Sequence, residues 1–130
     1  MTSVKHFIED LEFLGPCRFV VVGNGAILEA IGEFTELRQN DNGLATVSND
    51  DNSFECHIRM GEVKKAAFVK KEKPDGKTMH ITRLMDADGK SLLSAILAGE
   101  DGGEVDPGAI KFWENLRDRF GDEFALTEEE

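Results

Sequence analysis

Between Cys17 and Ala98 the chain is cut by turn-forming clusters set so close together that the runs between them suit short strands rather than long helices. The clusters are Gly23-Asn24-Gly25, the polar loop from Gln39 to Gly43, Asn49 to Asn52, Gly61, Lys73-Pro74-Asp75-Gly76 and Asp86-Ala87-Asp88-Gly89. Each works for a physical reason: Gly and Asn accept positive φ, Pro presets φ, and Asp bonds its own backbone two residues on. Strands joined by tight turns pair antiparallel. The runs themselves predict strands at Cys17–Val22 (a buried run rich in valine), Ala26–Leu37 with Gly32 as a bulge or bend and a helix as the competing reading, Leu44–Ser48, Ser53–Met60, Val63–Val69, Thr78–Leu84 and Ser91–Ala98, the last alternatively a helical turn.

Helical spacing is confined to the two ends. Val4, Phe7, Ile8, Leu11 and Leu14 make one apolar stripe within Met1–Leu14, with Ser3 as its cap and Gly15-Pro16 as its stop. Asp106-Pro107 opens a second helix, whose stripe is Ala109, Phe112, Trp113, Leu116 and Phe120 and whose end is Gly121. The fold class expected is α+β: antiparallel β-sheets with flanking N- and C-terminal helices, in a single domain over residues 1–130. The acidic tail, residues 122–130, is expected to fray.

The stretch Phe54 to Lys71 reads as a hairpin turning at Gly61. Phe54, Cys56, Ile58 and Met60 point one way, and Ser53, Glu55, His57 and Arg59 the other. His57 therefore stands mid-strand on the face away from the apolar set. In Thr78–Leu84, Met79 and Ile81 lie opposite His80 and Thr82, which puts His80 on a polar side as well. His6, beside Phe7 in the first helix, reads as a surface residue.

Charge narrows the partners. The formal net charge is −11, which disfavours nucleic acid and anionic membranes as ligands. Against that background Arg59, Lys64, Lys65, Lys70, Lys71 and Lys73 cluster with only Glu62 and Glu72 among them. The segment reads either as a solvated face or as a cationic patch for a small anionic ligand. There is no membrane-length apolar run and no signal-peptide pattern at the start, so the expected location is cytoplasmic. Cys17 and Cys56 form no Cys-x-x-Cys pair, and Cys56 reads as a buried, inert thiol. Nucleophile elbows, His-Glu-x-x-His and phosphate-binding glycine loops are all missing, so no catalytic residue is singled out.

The segment Glu55 to Val69, with Cys56-His57-Ile58-Arg59 at its head, resembles the haem-utilisation carrier proteins of the HutX/ChuX type, distantly related to the HemS type. Met85 to Gly89, the apolar run Ser91 to Leu97 and the final helix occupy matching places, and the similarity spans about Phe19 to Phe120. The resemblance implies a haem-binding, haem-trafficking homodimer rather than an enzyme, with haem as cofactor. It implies His57 as an axial ligand to haem iron, Arg59 at the family's lysine position, and Lys64 and Lys65 as further cationic partners for the propionates. His80 is the runner-up ligand. Where family members often carry His-Gly-Tyr-Phe-Asn-Leu, this chain has Asn42-Gly43-Leu44-Ala45-Thr46-Val47 and, throughout, no tyrosine. A haem-free interaction module on the same fold and a haem-degrading enzyme are the alternative readings.

Overall fold

Ser3 opens the first helix as its chemistry requires: its hydroxyl accepts the His6 N–H at 3.1 Å. A computed structural model of the chain describes residues 2–100 and 103–128. Helix α1 (Val4–Asp10) buries Val4, Phe7 and Ile8, and one 3-10 turn, Glu12–Leu14, carries the chain to Gly15 at φ +77°. Strands β1 (Cys17–Val22) and β2 (Ile27–Gly32) form a hairpin closed by the Gly23 N–H on the Ala26 carbonyl at 2.7 Å. There follow β3 (Arg38–Gln39), β4 (Leu44–Ser48), β5 (Glu55–Arg59), β6 (Lys65–Glu72), β7 (Thr78–Met85) and β8 (Ser91–Leu97), then helix α2 (Pro107–Phe120) and β9 (Glu123–Ala125). Among the described residues no helix is long and apolar enough to cross a membrane.

All the strands pair antiparallel, in two sheets. The larger runs β2-β1-β8-β7-β6-β9 and the smaller β3-β4-β5. The core lies between the inner face of the large sheet and a cover made of α1, α2 and the small sheet. Phe7 packs edge-on against Phe68, Phe120 and Phe124 at 5.8, 5.3 and 5.2 Å. Trp113 packs edge-on against Phe68 at 5.6 Å and donates its indole N–H to Thr82 Oγ1 at 3.2 Å. Such ring pairs contribute about 0.5–1.5 kcal/mol each beyond the area they bury. At the other end Phe19 meets Phe34 and Phe54 at 4.7 and 4.6 Å, which seats the small sheet on the large one.

Several expectations are corrected here. Phe54 to Lys71 is not a hairpin: β5 and β6 belong to different sheets, and Gly61 sits in a 3-10 turn, Met60–Glu62, that hands the chain from one sheet to the other. Cys17–Val22 is a strand but not a buried one. Cys17 and Phe19 face the core, while Val21 and Val22 are 41% and 58% exposed. The run Ala26–Leu37 stops as a strand at Gly32, which pairs in register with Cys17 and forms no bulge. The stripe on α2 faces the core as expected, with Trp113 and Leu116 buried. The acidic tail does not fray over its described residues. Leu126 is buried, β9 pairs with β6, and the Val4 N–H reaches the Thr127 carbonyl at 2.8 Å. Glu129 and Glu130 lie outside the described residues.

Candidate functional site

The outer face of the small sheet carries His57. The register places Thr46 opposite His57, Ser48 opposite Glu55 and Leu44 opposite Arg59, while Ala45, Val47 and Ile58 turn to the core. His57 is half-exposed. Its Nδ1 lies 2.8 Å from Thr46 Oγ1, and its Nε2 lies 3.2 Å from Glu55 Oε2. The other oxygen of Glu55 accepts from the Arg38 guanidinium at 3.0 Å, and Arg38 also donates to Ser48 Oγ at 3.0 Å. The imidazole is thus held at both nitrogens in a polar network, Arg38–Glu55–His57–Thr46. Sequence alternation places Glu55 on the same face as His57; Thr46 and Arg38 come from other strands, and no local signal marks them.

Arg59 follows His57 on the same face and lines a shallow cleft with Asn42, Leu44, Gly61 and Glu128. The two positions at which the chain departs from the family pattern, Asn42 and Leu44, therefore stand beside Arg59. A side-chain oxygen of Glu128 lies 2.8 Å from where a Cβ on Gly61 would stand, so the glycine makes room for the C-terminal segment.

The remaining candidates lie elsewhere. Lys64 and Lys65 follow the 3-10 turn and enter the large sheet, where the Lys64 N–H bonds the Met85 carbonyl at 2.9 Å and Lys65 pairs with Met85 and Ala125. Lys70 turns to the inner face of the large sheet and pairs with Glu114 at 2.6 Å. The basic segment Arg59–Lys73 is therefore divided between two sheets rather than gathered in one patch.

His80 is not on a polar side. It is 7% exposed on the inner face of the large sheet, its ring 5.0 Å from Trp113 and edge-on to it. Burial pushes its pKa below the ordinary value, with Lys70 and Arg117 adding to the shift and Glu114 opposing it. The two histidines lie on different sheets. His6 is a surface residue facing Glu9 at 3.9 Å. Cys17 is pushed up to about 12 by burial and by the charge of Glu33; Cys56, only partly buried where a buried thiol was expected, is pushed up to about 11 by burial. Among the described residues no group of three or more His, Cys, Asp or Glu side chains is disposed to hold a metal ion.

The donor set at His57 fits haem in kind. It offers one accessible imidazole anchored through Nδ1, with a guanidinium two residues on along the same face. Leu44 is the apolar member of that face, so the wall is mostly polar.

The family model described as haem utilisation ChuX/HutX matches residues 1–116. No curated protein matches the chain. Among solved structures, a protein from Agrobacterium tumefaciens superimposes with a TM-score of 0.74 at 20% identity, over 89% of this chain and 66% of its own. The haem-binding protein ChuX gives a TM-score of 0.74 at 16% identity, over 89% of this chain and 71% of its own. ChuS, an E. coli haem oxygenase, gives 0.69 at 17% identity, over 98% of this chain and 35% of its own. These likenesses concern the fold. The chain spans about two thirds of the length of the first of these structures and about a third of ChuS.

Proposed function

Since the chain belongs to the ChuX/HutX haem-utilisation family, we propose that it is a cytoplasmic haem-binding protein that carries haem rather than degrading it, and that it works as a homodimer. The observation that carries the site is the half-exposed imidazole of His57 with its Nδ1 engaged by Thr46. Haem, when bound, would supply an iron that takes a nitrogen ligand and two carboxylates that seek cations. His57 Nε2 is the nitrogen that would face the iron, and Thr46 fixes the ring so that this nitrogen points outward. For Nε2 to act as a ligand it must carry no proton, and the Glu55 carboxylate must swing away. Arg38, already bonded to Glu55, is placed to keep that carboxylate. Arg59 would take a propionate; Lys64 and Lys65, carried into the large sheet, are the more remote cationic candidates. An open, polar wall holds haem loosely, which suits a protein that hands its ligand on.

Haemin titration followed at the Soret band tests this, with wild type beside His57→Ala. Saturation near one haem per chain that His57→Ala removes is the expected result. Absence of saturable binding in the wild type would overturn the haem reading. Binding unchanged in His57→Ala would move the ligand, with His80→Ala the next variant. Reductant added to the loaded protein separates carrier from enzyme: a carrier keeps its Soret band and a haem-degrading enzyme loses it.

One observation favours a second reading, a haem-free interaction module on the same fold. Glu55 sits against the very nitrogen that haem iron would need.

A further inference from the structure

The two neighbours of the His57 ring differ in chemistry. Thr46 Oγ1 lies 2.8 Å from Nδ1, and Glu55 Oε2 lies 3.2 Å from Nε2. A hydroxyl both donates and accepts, so Thr46 suits either state of Nδ1. An ionised carboxylate only accepts, so the nitrogen that meets Glu55 carries the N–H. A neutral imidazole has one N–H and one lone pair. With the N–H on Nε2, the lone pair is on Nδ1 and turns to the hydroxyl of Thr46, a residue only 9% exposed. The ring therefore shows solvent the nitrogen that cannot bind a metal, and shows the protein the one that can. Thr46 permits both tautomers; Glu55 is the group that chooses between them.

Arg38 fixes where Glu55 can go. The register sets Arg38 opposite Thr46, Thr46 opposite His57 and Ser48 opposite Glu55, so all four polar side chains share the outer face of the small sheet with His57. Arg38 Nη1 donates to the Glu36 carbonyl at 2.8 Å and to Ser48 Oγ at 3.0 Å. Ser48 is 2% exposed, so this end of the guanidinium is anchored. The other end, Nη2, donates to Glu55 Oε1 at 3.0 Å. The carboxylate thus spans two donors, one oxygen on Arg38 and one on His57. A guanidinium has five N–H groups in a fork that takes both oxygens of a carboxylate. Glu55 can leave His57 and stay paired with Arg38. The ring proton then passes from Nε2 to water while Nδ1 takes one from water and donates it to Thr46 Oγ1, and the lone pair faces outward.

We propose that Glu55 is a two-position latch that sets the tautomer of His57, covering Nε2 in one position and leaving it to a haem iron in the other, and that Arg38 draws the latch open. This rests on the haem reading above and adds what controls that site. Only the open fraction binds, so the latch lowers the apparent affinity by that fraction. Glu55 and Arg38 are positioning residues: they act on the iron only through His57.

Long-range nitrogen–proton NMR of the imidazole rings, on the nitrogen-labelled full chain without haem at about pH 8, reads which ring nitrogen carries the proton. Only His6 and His80 share the spectrum, and His57→Ala identifies the signal. Haemin titration at the Soret band accompanies it, on wild type, Glu55→Ala, Arg38→Ala and the double variant. Far-UV circular dichroism checks that each is folded; both side chains are half-exposed. In the wild type the proton is expected on Nε2, and Glu55→Ala should move part of the population to Nδ1. Glu55→Ala should bind haemin about two- to fivefold tighter, the range open to a half-exposed pair. Arg38→Ala should bind more weakly by a similar factor, and the double variant should match Glu55→Ala. A wild-type proton on Nδ1, or one distribution in both proteins, would overturn the tautomer role. Unchanged haemin affinity in Glu55→Ala would overturn the latch and leave the haem reading standing. A gain that vanishes at about 1 M salt, where screening acts within about 3 Å, would assign it to charge repulsion of the propionates and also overturn the latch. A double variant weaker than Glu55→Ala would show Arg38 acting other than through Glu55 and overturn its part. Saturable binding by neither wild type nor Glu55→Ala would overturn the haem reading and the latch together.

Discussion

Gly32 and Phe54 share one space: a Cβ on Gly32 would stand 2.2 Å from Cδ2 of the Phe54 ring. Gly32 ends β2 in the large sheet and Phe54 leads into β5 in the small one. Their contact is the seam at which the two sheets close, with Phe19 and Phe34 packed around it.

Gly32→Ala should therefore cost about 2 kcal/mol or more, because the phenyl ring must leave its place and overpacking of a fitted core costs about 1–3 kcal/mol. Urea unfolding checks it. A change below about 0.5 kcal/mol would mean that the seam yields freely. Phe54→Ala should cost about 3–5 kcal/mol through the cavity it leaves.

Thr82→Val keeps the shape of a side chain that is 2% exposed and removes the acceptor of the Trp113 indole N–H. A buried donor left without a partner costs about 1–3 kcal/mol. Trp113 is the sole tryptophan, so its fluorescence reports the unfolding directly. An unchanged midpoint would show that the hydrogen bond contributes nothing net.

His80 makes stability depend on pH. Burial lowers its folded pKa below the ordinary value of 6.5, so the unfolded chain takes up the proton first as the pH falls. The contribution is fully present above about 6.5 and is lost as the pH falls toward and through the lowered folded value. Unfolding curves between about pH 7.5 and 5, comparing wild type with His80→Gln, should converge as the pH falls if the wild type is the more stable at pH 7.5. Parallel curves would remove His80 as the cause.

Thr46→Val tests the orienting bond to His57 Nδ1. Loss of such a partner typically costs a metal site about 10–100-fold in affinity. A haemin affinity reduced about tenfold, with a shifted Soret maximum and unchanged folding stability, is the expected outcome. Affinity and spectrum equal to wild type would show that the ring needs no help from Thr46.

Neither thiol should react with a disulfide reagent at pH 8 while the chain is folded, since burial holds Cys17 up at about 12 and Cys56 at about 11. In urea both should react as free thiols, near the ordinary value of about 8.5. Prompt labelling of Cys56 in the native protein would show that the small sheet opens readily.

The local chemistry of the chain was legible without a structure. Ser3, Asp106-Pro107 and Gly121 bound the helices where expected, and Lys73 to Gly76 closes the β6–β7 hairpin with the Gly76 N–H on the Lys73 carbonyl at 2.9 Å. Caps and turns act over a few residues, so the residues that make them also declare them. The alternation through Phe54, Cys56, Ile58 and Met60 put His57 on the outer face for the same reason. The α+β class and the family resemblance stand on these features together.

Long-range pairing was beyond local reading. Nothing between Arg59 and Lys65 says that the chain changes sheets there; that depends on Phe54 seating the small sheet under Gly32. In β7 a period of 2 separates Met79 and Ile81 from His80 and Thr82 but does not say which pair faces inward. The choice was made by Trp113, which needs an acceptor in the core and finds Thr82 Oγ1, carrying His80 inward with it. The acidic tail turned into strand β9 because β6 offered an open edge and the core had room for Leu126. The sequence by itself determined the helix caps, most of the turns and the alternation within the strands, but not the end of β2 or the existence of β3 and β9. Which faces they bury, and so whether His57 and His80 meet ligand or core, was decided by contacts between residues far apart in the chain, whose free energy exists only once the two sheets have closed on each other.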